Sequence, residues 1–374
     1  MESWVRKICF LITIILSISA QADIDTDGDG YSDLVEKSLG LNPNWNEFID
    51  IPMSILGEAY PGGQIDFISP DGKHLYVNTA TSVYDINQES GMLENFRATG
   101  LTKTYGTAMT SSKGDFIFVN PRYTGDILVY ERDIKTGMLT RVHATSILGE
   151  IKKIMISPDN EIYFTVYYFD LVKLFKGSFS DDHTFTYDEV DVGIFSGINP
   201  NISFLNSEKY YLPLGSGNST NKILVMKNDE KSSSIESSQY IFRDVAAHPL
   251  VENKFYSVFS YSSQQFYLSL VSDDANGLYI SLPNNHYYLG KSDAKLLTDK
   301  KNRLLYVLNK NRISAFKLSD SDSEISKPEL FQELNFEGNL THFSASNGKV
   351  YITDEDRILI LSAGQWGGDT PLCN

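Results

Sequence analysis

The segment DIDTDGDGYSDLVE, from Asp23 to Glu36, places six acids and no base in fourteen residues. Carboxylates this close repel one another in water, and their alternation with small residues suits the capture of a hard divalent cation. With Asp25 at position 1, Asp27 and Asp29 fall at 3 and 5, Gly30 at 6, the Tyr31 carbonyl at 7, Asp33 at 9 and Glu36 at 12. Calcium takes about 6 to 8 oxygens; the glycine permits the sharp turn and the last glutamate binds through both oxygens. Ca2+ is therefore the expected cofactor, against the plain alternative of a solvated acidic linker.

Only the exit side of this loop has a helical pattern, from about Asp33 to Leu39. Ser32 is its N-cap, and Gly40 with Asn42-Pro43 its stop. The stretch DTDGDGYSDLVEKSLGLNP resembles a bacterial thrombospondin type 3-like repeat, a calcium loop without an entering helix. The resemblance implies that residues 23–45 form a structural metal site rather than a sensor.

Upstream, Arg6 and Lys7 precede an apolar run from Ile8 to Ile18 and then Ser19-Ala20-Gln21-Ala22. That is the pattern of a signal peptide over residues 1–22, and the run is too short for a membrane span of about 20 residues. The mature protein is expected to be exported, periplasmic or extracellular, with no membrane span. Loss of Glu2, Arg6 and Lys7 makes it one unit more negative than the -16 of the whole chain. So acidic a protein repels phosphate backbones, which argues against nucleic acid as a partner. Cys9 leaves with the leader and Cys373 remains alone, so no internal disulfide forms and stability must come from a large core.

The rest of the chain repeats one phrase seven times: an apolar strand, a polar turn, an aromatic strand, a second turn and a third strand. IDFISPDGKHLYVNTATSVYDINQESGMLENF is the first copy and AMTSSKGDFIFVNPRYTGDILVYERDIKTGMLTRV the second. The second strands centre on Tyr76, Ile117, Tyr163, Tyr211, Tyr256, Leu305 and Tyr351, a period of about 45 residues typical of propeller blades. No long 3.6-period segment intervenes, which excludes parallel strands with crossover helices. The expected fold is all-β, a seven-bladed β-propeller over residues 46–367, with a tail at 368–374. The last copy lacks an outer strand, and the extended stretch at about 48–57 precedes the first copy with no blade of its own. It is expected to complete the last blade and close the ring.

ISPDGKHLYV, YDINQESGML and FVNPRYTGDILVYERDIKTGML resemble the lactonase-like, 6-phosphogluconolactonase-type and YVTN propellers of bacteria, from about Gly62 to Gly367. The resemblance implies the same fold. For its enzymatic members it implies His, Glu and Arg side chains at one mouth of the channel. Asn120, Arg122 and Asp126 resemble the Asn-Arg and Asp that follow the second strand in those relatives, but the His-containing motif is replaced by AMTSSKGD. No nucleophile elbow, paired acid or His-rich metal spacing is present, so no catalytic residue is assigned. His74 and His248 fall in or beside turns and suit turn-filling.

Ligands of propellers meet the mouth where the inner strands begin. Five residues before each repeat turn stand Gln64, Gly106, Lys152, Asn199, Arg243, Asp293 and Leu340. Of these, Gln64, Lys152, Asn199, Arg243 and Asp293 are the candidate ligand-binding residues, with Lys153, Asp244, Lys295 and His342 beside them. Converging cations in an acidic protein suit a small anionic ligand such as a carboxylate or sugar acid; a solvent-filled structural pore is the alternative. The expected function is that of an exported, calcium-binding recognition or interaction module, for a small anion or a protein partner. A lactonase-like hydrolase or isomerase working at the mouth is the other reading.

Overall fold

The computed structural model describes residues 50–101, 106–169, 171–180, 182–195, 202–214, 221–237, 240–262, 265–274, 277–280, 286–318 and 327–366. The expected signal peptide, the calcium loop with Asp25, Asp27, Asp29, Tyr31, Asp33 and Glu36, its exit helix, and the tail lie outside these residues. So does Asn199.

The described strands form seven antiparallel sheets, six of them ordered from the inside outwards as the chain runs. Blade one consists of Ile65–Ile68, His74–Val77, Ser82–Ile86 and Leu93–Ala98. The inner strands of blades two to seven are Gly106–Thr110, Glu150–Ile156, Ser203–Phe204, Ile241–Ala247, Ala294–Asp299 and Leu340–Ser346. All seven expected centres, from Tyr76 to Tyr351, lie in second strands and are buried.

The outer strand of blade seven is Ile55–Ala59, from the opposite end of the chain, paired with Arg357–Ser362. The ladder begins at Ile55, later than the 48–57 read from sequence, because Pro52 has no N–H to donate. Met53 instead exchanges backbone hydrogen bonds with the Gln332 amide of blade six. One further bridge, Ile51 to Gln365, extends the clasp. Blade five departs from the repeat in another way. Its third strand, Gln265–Asp274, is long enough to pair with two short strands end to end, Gly277–Ile280 and Tyr287–Gly290.

Seven apolar clusters hold the ring together, and each joins two adjacent blades. The joint between blades seven and one packs Tyr351, Ile358 and Ile360 against Ile65, Leu75 and Val77, so closure is a buried apolar interface like the other six. The second-strand tyrosines explain why the repeat is aromatic. A buried phenol needs a partner for its hydroxyl, and it finds one in the next blade. Tyr76 donates to the Gly137 carbonyl at 2.8 Å, Tyr306 to Ala363 at 2.6 Å and Tyr351 to Gly91 at 2.9 Å. The repeat turns are built locally: Ser69 Oγ accepts the His74 N–H at 3.0 Å, and Gly72 takes a φ of +68° that a Cβ would strain.

Candidate functional site

Since each blade runs inner, second, third, outer with antiparallel neighbours, the starts of the inner strands and the turns between second and third strands share one face of the ring. On that face a cavity of about 1060 Å³ opens over the channel between blades one, two, three and seven. Gln64, Thr79, Gly106, Arg122, Lys152 and His342 are among its lining residues. Most of the lining is polar, and the described residues of blades four to six contribute none of it.

The residues expected from spacing separate here. Gln64 and Lys152 reach the cavity. Arg243 and Asp293 do not line it: the Arg243 guanidinium lies 5.9 Å from the Phe266 ring centre with its Nε buried and unpartnered, and Asp293 accepts the next N–H, that of Ala294, at 2.9 Å. Lys152 is neutralised by Glu150 at 2.7 Å and sits 5.2 Å from the Tyr167 ring. β-Bulges explain the scatter. Inner strands of blades one, three, five and seven shift register between Ile65 and Phe67, Ile151 and Lys153, Phe242 and Asp244, and Leu340 and Phe343. A bulge re-aims the extra side chain, so a uniform five-residue count lands on Lys152 and Arg243 while their neighbours take the inward positions.

Those neighbours form the inner constellation. Lys153 of blade three feels Asp244 of blade five and Lys295 of blade six, and His342 of blade seven feels both lysines; blade three adjoins none of these blades, so its lysine reaches them across the central channel. Burial pushes the Lys153 ammonium below its ordinary value; Lys295 lowers it further and Asp244 opposes. Lys295 is also lowered, first by the surrounding protein, although it keeps water contact that moderates the effect. Its ammonium donates to the Thr341 carbonyl at 2.7 Å. His342 is brought down to about 4 by burial and then by the two lysines, so it is neutral near pH 7. Buried Asp244 accepts the Val245 N–H at 3.0 Å and the Leu296 N–H at 2.9 Å, latching blade five to blade six.

Sequence reasoning passed over Asp66, the bulge residue of blade one. Burial raises its carboxyl to about 7, against opposing hydrogen bonds from the Ala80 and Thr79 backbone; the Ala80 N–H lies 2.7 Å from Oδ2. Its only sequence signal is a charge at an inner-strand position. Asn120 holds a turn, donating to the Thr124 and Asp126 carbonyls at 3.2 and 2.8 Å. Arg122 stacks 4.5 Å from the Tyr123 ring. His248 fills its turn, accepting from the Val251 N–H at 3.1 Å. Among the described residues no group of three or more His, Cys, Asp or Glu is arranged to hold a metal. No described helix is long and apolar enough to cross a membrane.

The chain is a seven-bladed β-propeller, a fold that commonly serves as an interaction module. Among solved structures it is similar to hydrazine synthase of Kuenenia stuttgartiensis, at 12% identity and a TM-score of 0.59 over 80% of this chain and 95% of that one. It is similar to the WD40 repeats of RRP9 at 10% identity and TM-score 0.55, over 84% of this chain and 99% of that one. It is also similar to virginiamycin B lyase of Staphylococcus aureus at 13% identity and TM-score 0.52, over 83% and 98%. Likeness at this identity establishes the fold alone. No family model matches the chain, and no curated protein sequence matches it.

Proposed function

We propose that the protein is an exported recognition module whose channel mouth binds a carboxylate-bearing ligand, with a calcium ion held by the acidic loop at its mature N-terminus. The observation that carries this reading is His342 in the wall of a polar cavity, with Lys153 and Lys295 of two other blades near enough to act on it electrostatically. Two ammonium groups in a partly desolvated channel attract an anion more strongly than they would in bulk water. Neutral His342 adds a hydrogen-bond donor or acceptor without adding charge. Asp244 holds the floor and keeps the net field small, so the preferred guest carries one or two negative charges.

The test is calorimetric titration of the mature chain with acetate, succinate and galacturonate. Binding of at least one, weakened tenfold or more in Lys153→Gln and Lys295→Gln, supports the reading; silence towards all three, or variants that bind as the parent does, overturns it. For calcium, the same chain titrated with Ca2+ should bind one ion, and Asp27→Asn with Asp29→Asn should abolish binding. A lactonase-like reaction has one observation in its favour, the carboxyl of Asp66 poised near neutrality for acid–base work. Turnover of a lactone panel, lost in Asp66→Asn, would replace the binding reading by that one.

A further inference from the structure

The cavity is far larger than a carboxylate, and on the same face of the ring apolar side chains stand exposed. Tyr123 lines the cavity from the turn between the second and third strands of blade two, and its side chain is 68% exposed. Next along the rim come Leu148, in the loop from blade two to blade three, and Phe169, at the corresponding turn of blade three; they are 76% and 81% exposed. The three turns are tied together. The Ile147 and Ile151 N–H groups donate to the Gly125 and Thr124 carbonyls at 2.8 and 2.9 Å, and Glu150 pairs with Tyr167. Tyr168 packs edge-on against Phe169, ring centres 4.4 Å apart.

Two of these residues hold a backbone that bulky side chains rarely adopt, Tyr123 with φ +66° and Phe169 with φ +44°. Glycine would sit there without strain. Aromatic rings displayed to water on strained turn tips are retained at a stability cost, a pattern that clusters at ligand clamps. Tyr123, Arg122, Ile151, Lys152 and His342 line the same cavity, so the rim at Tyr123 shares a space with His342, on which Lys153 and Lys295 act.

We infer that this face binds a peptide segment of a partner protein by its free C-terminus, the terminal carboxylate entering towards Lys153 and Lys295 and one or two apolar side chains near the end resting on Tyr123, Leu148 and Phe169. The inference rests on the carboxylate reading above and names its ligand class. Charge complementarity selects the end that enters, because an amine terminus would meet two ammonium groups. The wall between rim and centre selects a peptide over an acyl chain. Gln64, Asn78 and Thr79 offer donors and acceptors that match backbone amides and have no use for methylenes.

The experiment uses the mature chain and a pool of fluorescent octapeptides carrying Leu, Phe or Tyr in their last three positions, each made as the free acid and as the C-terminal amide. Laurate is the lipid probe. Expected is binding of free acids, weakened at least tenfold as amides. Binding should also weaken at least tenfold in the Leu148→Ser/Phe169→Gly variant, which keeps its succinate affinity and melts no lower than the parent. Equal binding of acid and amide forms, an unaffected rim variant, or binding of laurate but no peptide overturns the inference. If succinate binds and no peptide does, the inference falls and the carboxylate reading stands; if neither binds, both fall.

Discussion

The two ends of the ring are made by the same strands and treat their polar residues in opposite ways. On the face of the repeat turns, charges are spent on one another across blade joints. Arg132 of blade two, its side chain 1% exposed, meets Asp71 of blade one at 2.9 Å and His74 at 3.1 Å. Lys176 of blade three meets Asp229 of blade four at 2.6 Å, where Tyr163 and Tyr210 also donate, and Lys209 of blade four meets Asp273 of blade five at 2.8 Å. At the other mouth the ion pair Lys152–Glu150 stays within one strand, the inner lysines are drawn below their ordinary values, and aromatic rings stand in water. Ion pairs across a joint fix two blades, whereas the charged groups of the other mouth stand beside a polar cavity with room for a guest. The contrast separates a face of cross-blade ion pairs from a face that opens into a cavity.

Removing Arg132 should have the largest effect. Burial raises the Asp71 carboxyl, but hydrogen bonds from Arg132 and Ser69 and the charge of Arg132 outweigh it and hold it at about 2. Arg132→Ala leaves that acid without its partner at the joint of blades one and two, a loss of about 3–5 kcal/mol in urea unfolding. Asp71 also stabilises the parent above its unfolded value of 3.8, a contribution lost as pH falls through 2; the variant should show a weaker acid limb, since the Ser69 and Lys73 hydrogen bonds remain. A loss under about 1 kcal/mol would erase the distinction between the faces.

Asp66 tests the site face by titration. Its folded value of about 7 lies above the ordinary 3.8, so the group stabilises the fold fully below about pH 3.8 and ceases to do so as pH rises through about 7. The difference in stability between parent and Asp66→Asn should therefore change by up to about 4 kcal/mol across that window. A parallel pair of pH curves would show that Asp66 is not desolvated.

Smaller again is Tyr351→Phe, which deletes one hydroxyl bonded to the Gly91 carbonyl across the closing joint. The loss should be about 1 kcal/mol, since the carbonyl is left unsatisfied while the ring stays packed. A neutral result would mean that closure rests on apolar contact alone.

The repeat was legible because aromatic second strands and Ser-turn-Gly phrases are demanded by every joint: Tyr76, Tyr306 and Tyr351 each reach into the next blade. The divided outer strand of blade five was not, because Gly277–Ile280 and Tyr287–Gly290 carry no signal that they share one partner. Of the five candidates named from spacing, Gln64 and Lys152 line the cavity, Arg243 and Asp293 do not, and Asn199 lies outside the described residues. Spacing singled out Lys152 and Arg243 and placed Lys153, Asp244, Lys295 and His342 beside them, but a bulge adds a residue without marking the sequence, so which neighbour faces inwards had to come from the ladders. The exposed side chains of Tyr123, Leu148 and Phe169 were silent for another reason: apolar residues in a turn read as ordinary loop composition until their exposure, and for Tyr123 and Phe169 their φ angles, are known.

The smallest expected effect separates the faces most cleanly. Lys152 and Glu150 form an ion pair shorter than that of Arg132 and Asp71, 2.7 against 2.9 Å, but with side chains 28% and 26% exposed and both on one strand. Water screens such a pair, and ordering two long side chains offsets most of what attraction remains. Lys152→Ala should therefore change stability by no more than about 0.5 kcal/mol in urea unfolding. Because Lys152 lines the cavity while Glu150 cancels its charge, carboxylate affinity should fall less than in Lys153→Gln. A large loss of stability would mean that this mouth is locked like the opposite one. A loss of affinity equal to that of Lys153→Gln would move the centre of the site outwards, from the channel lysines to the rim.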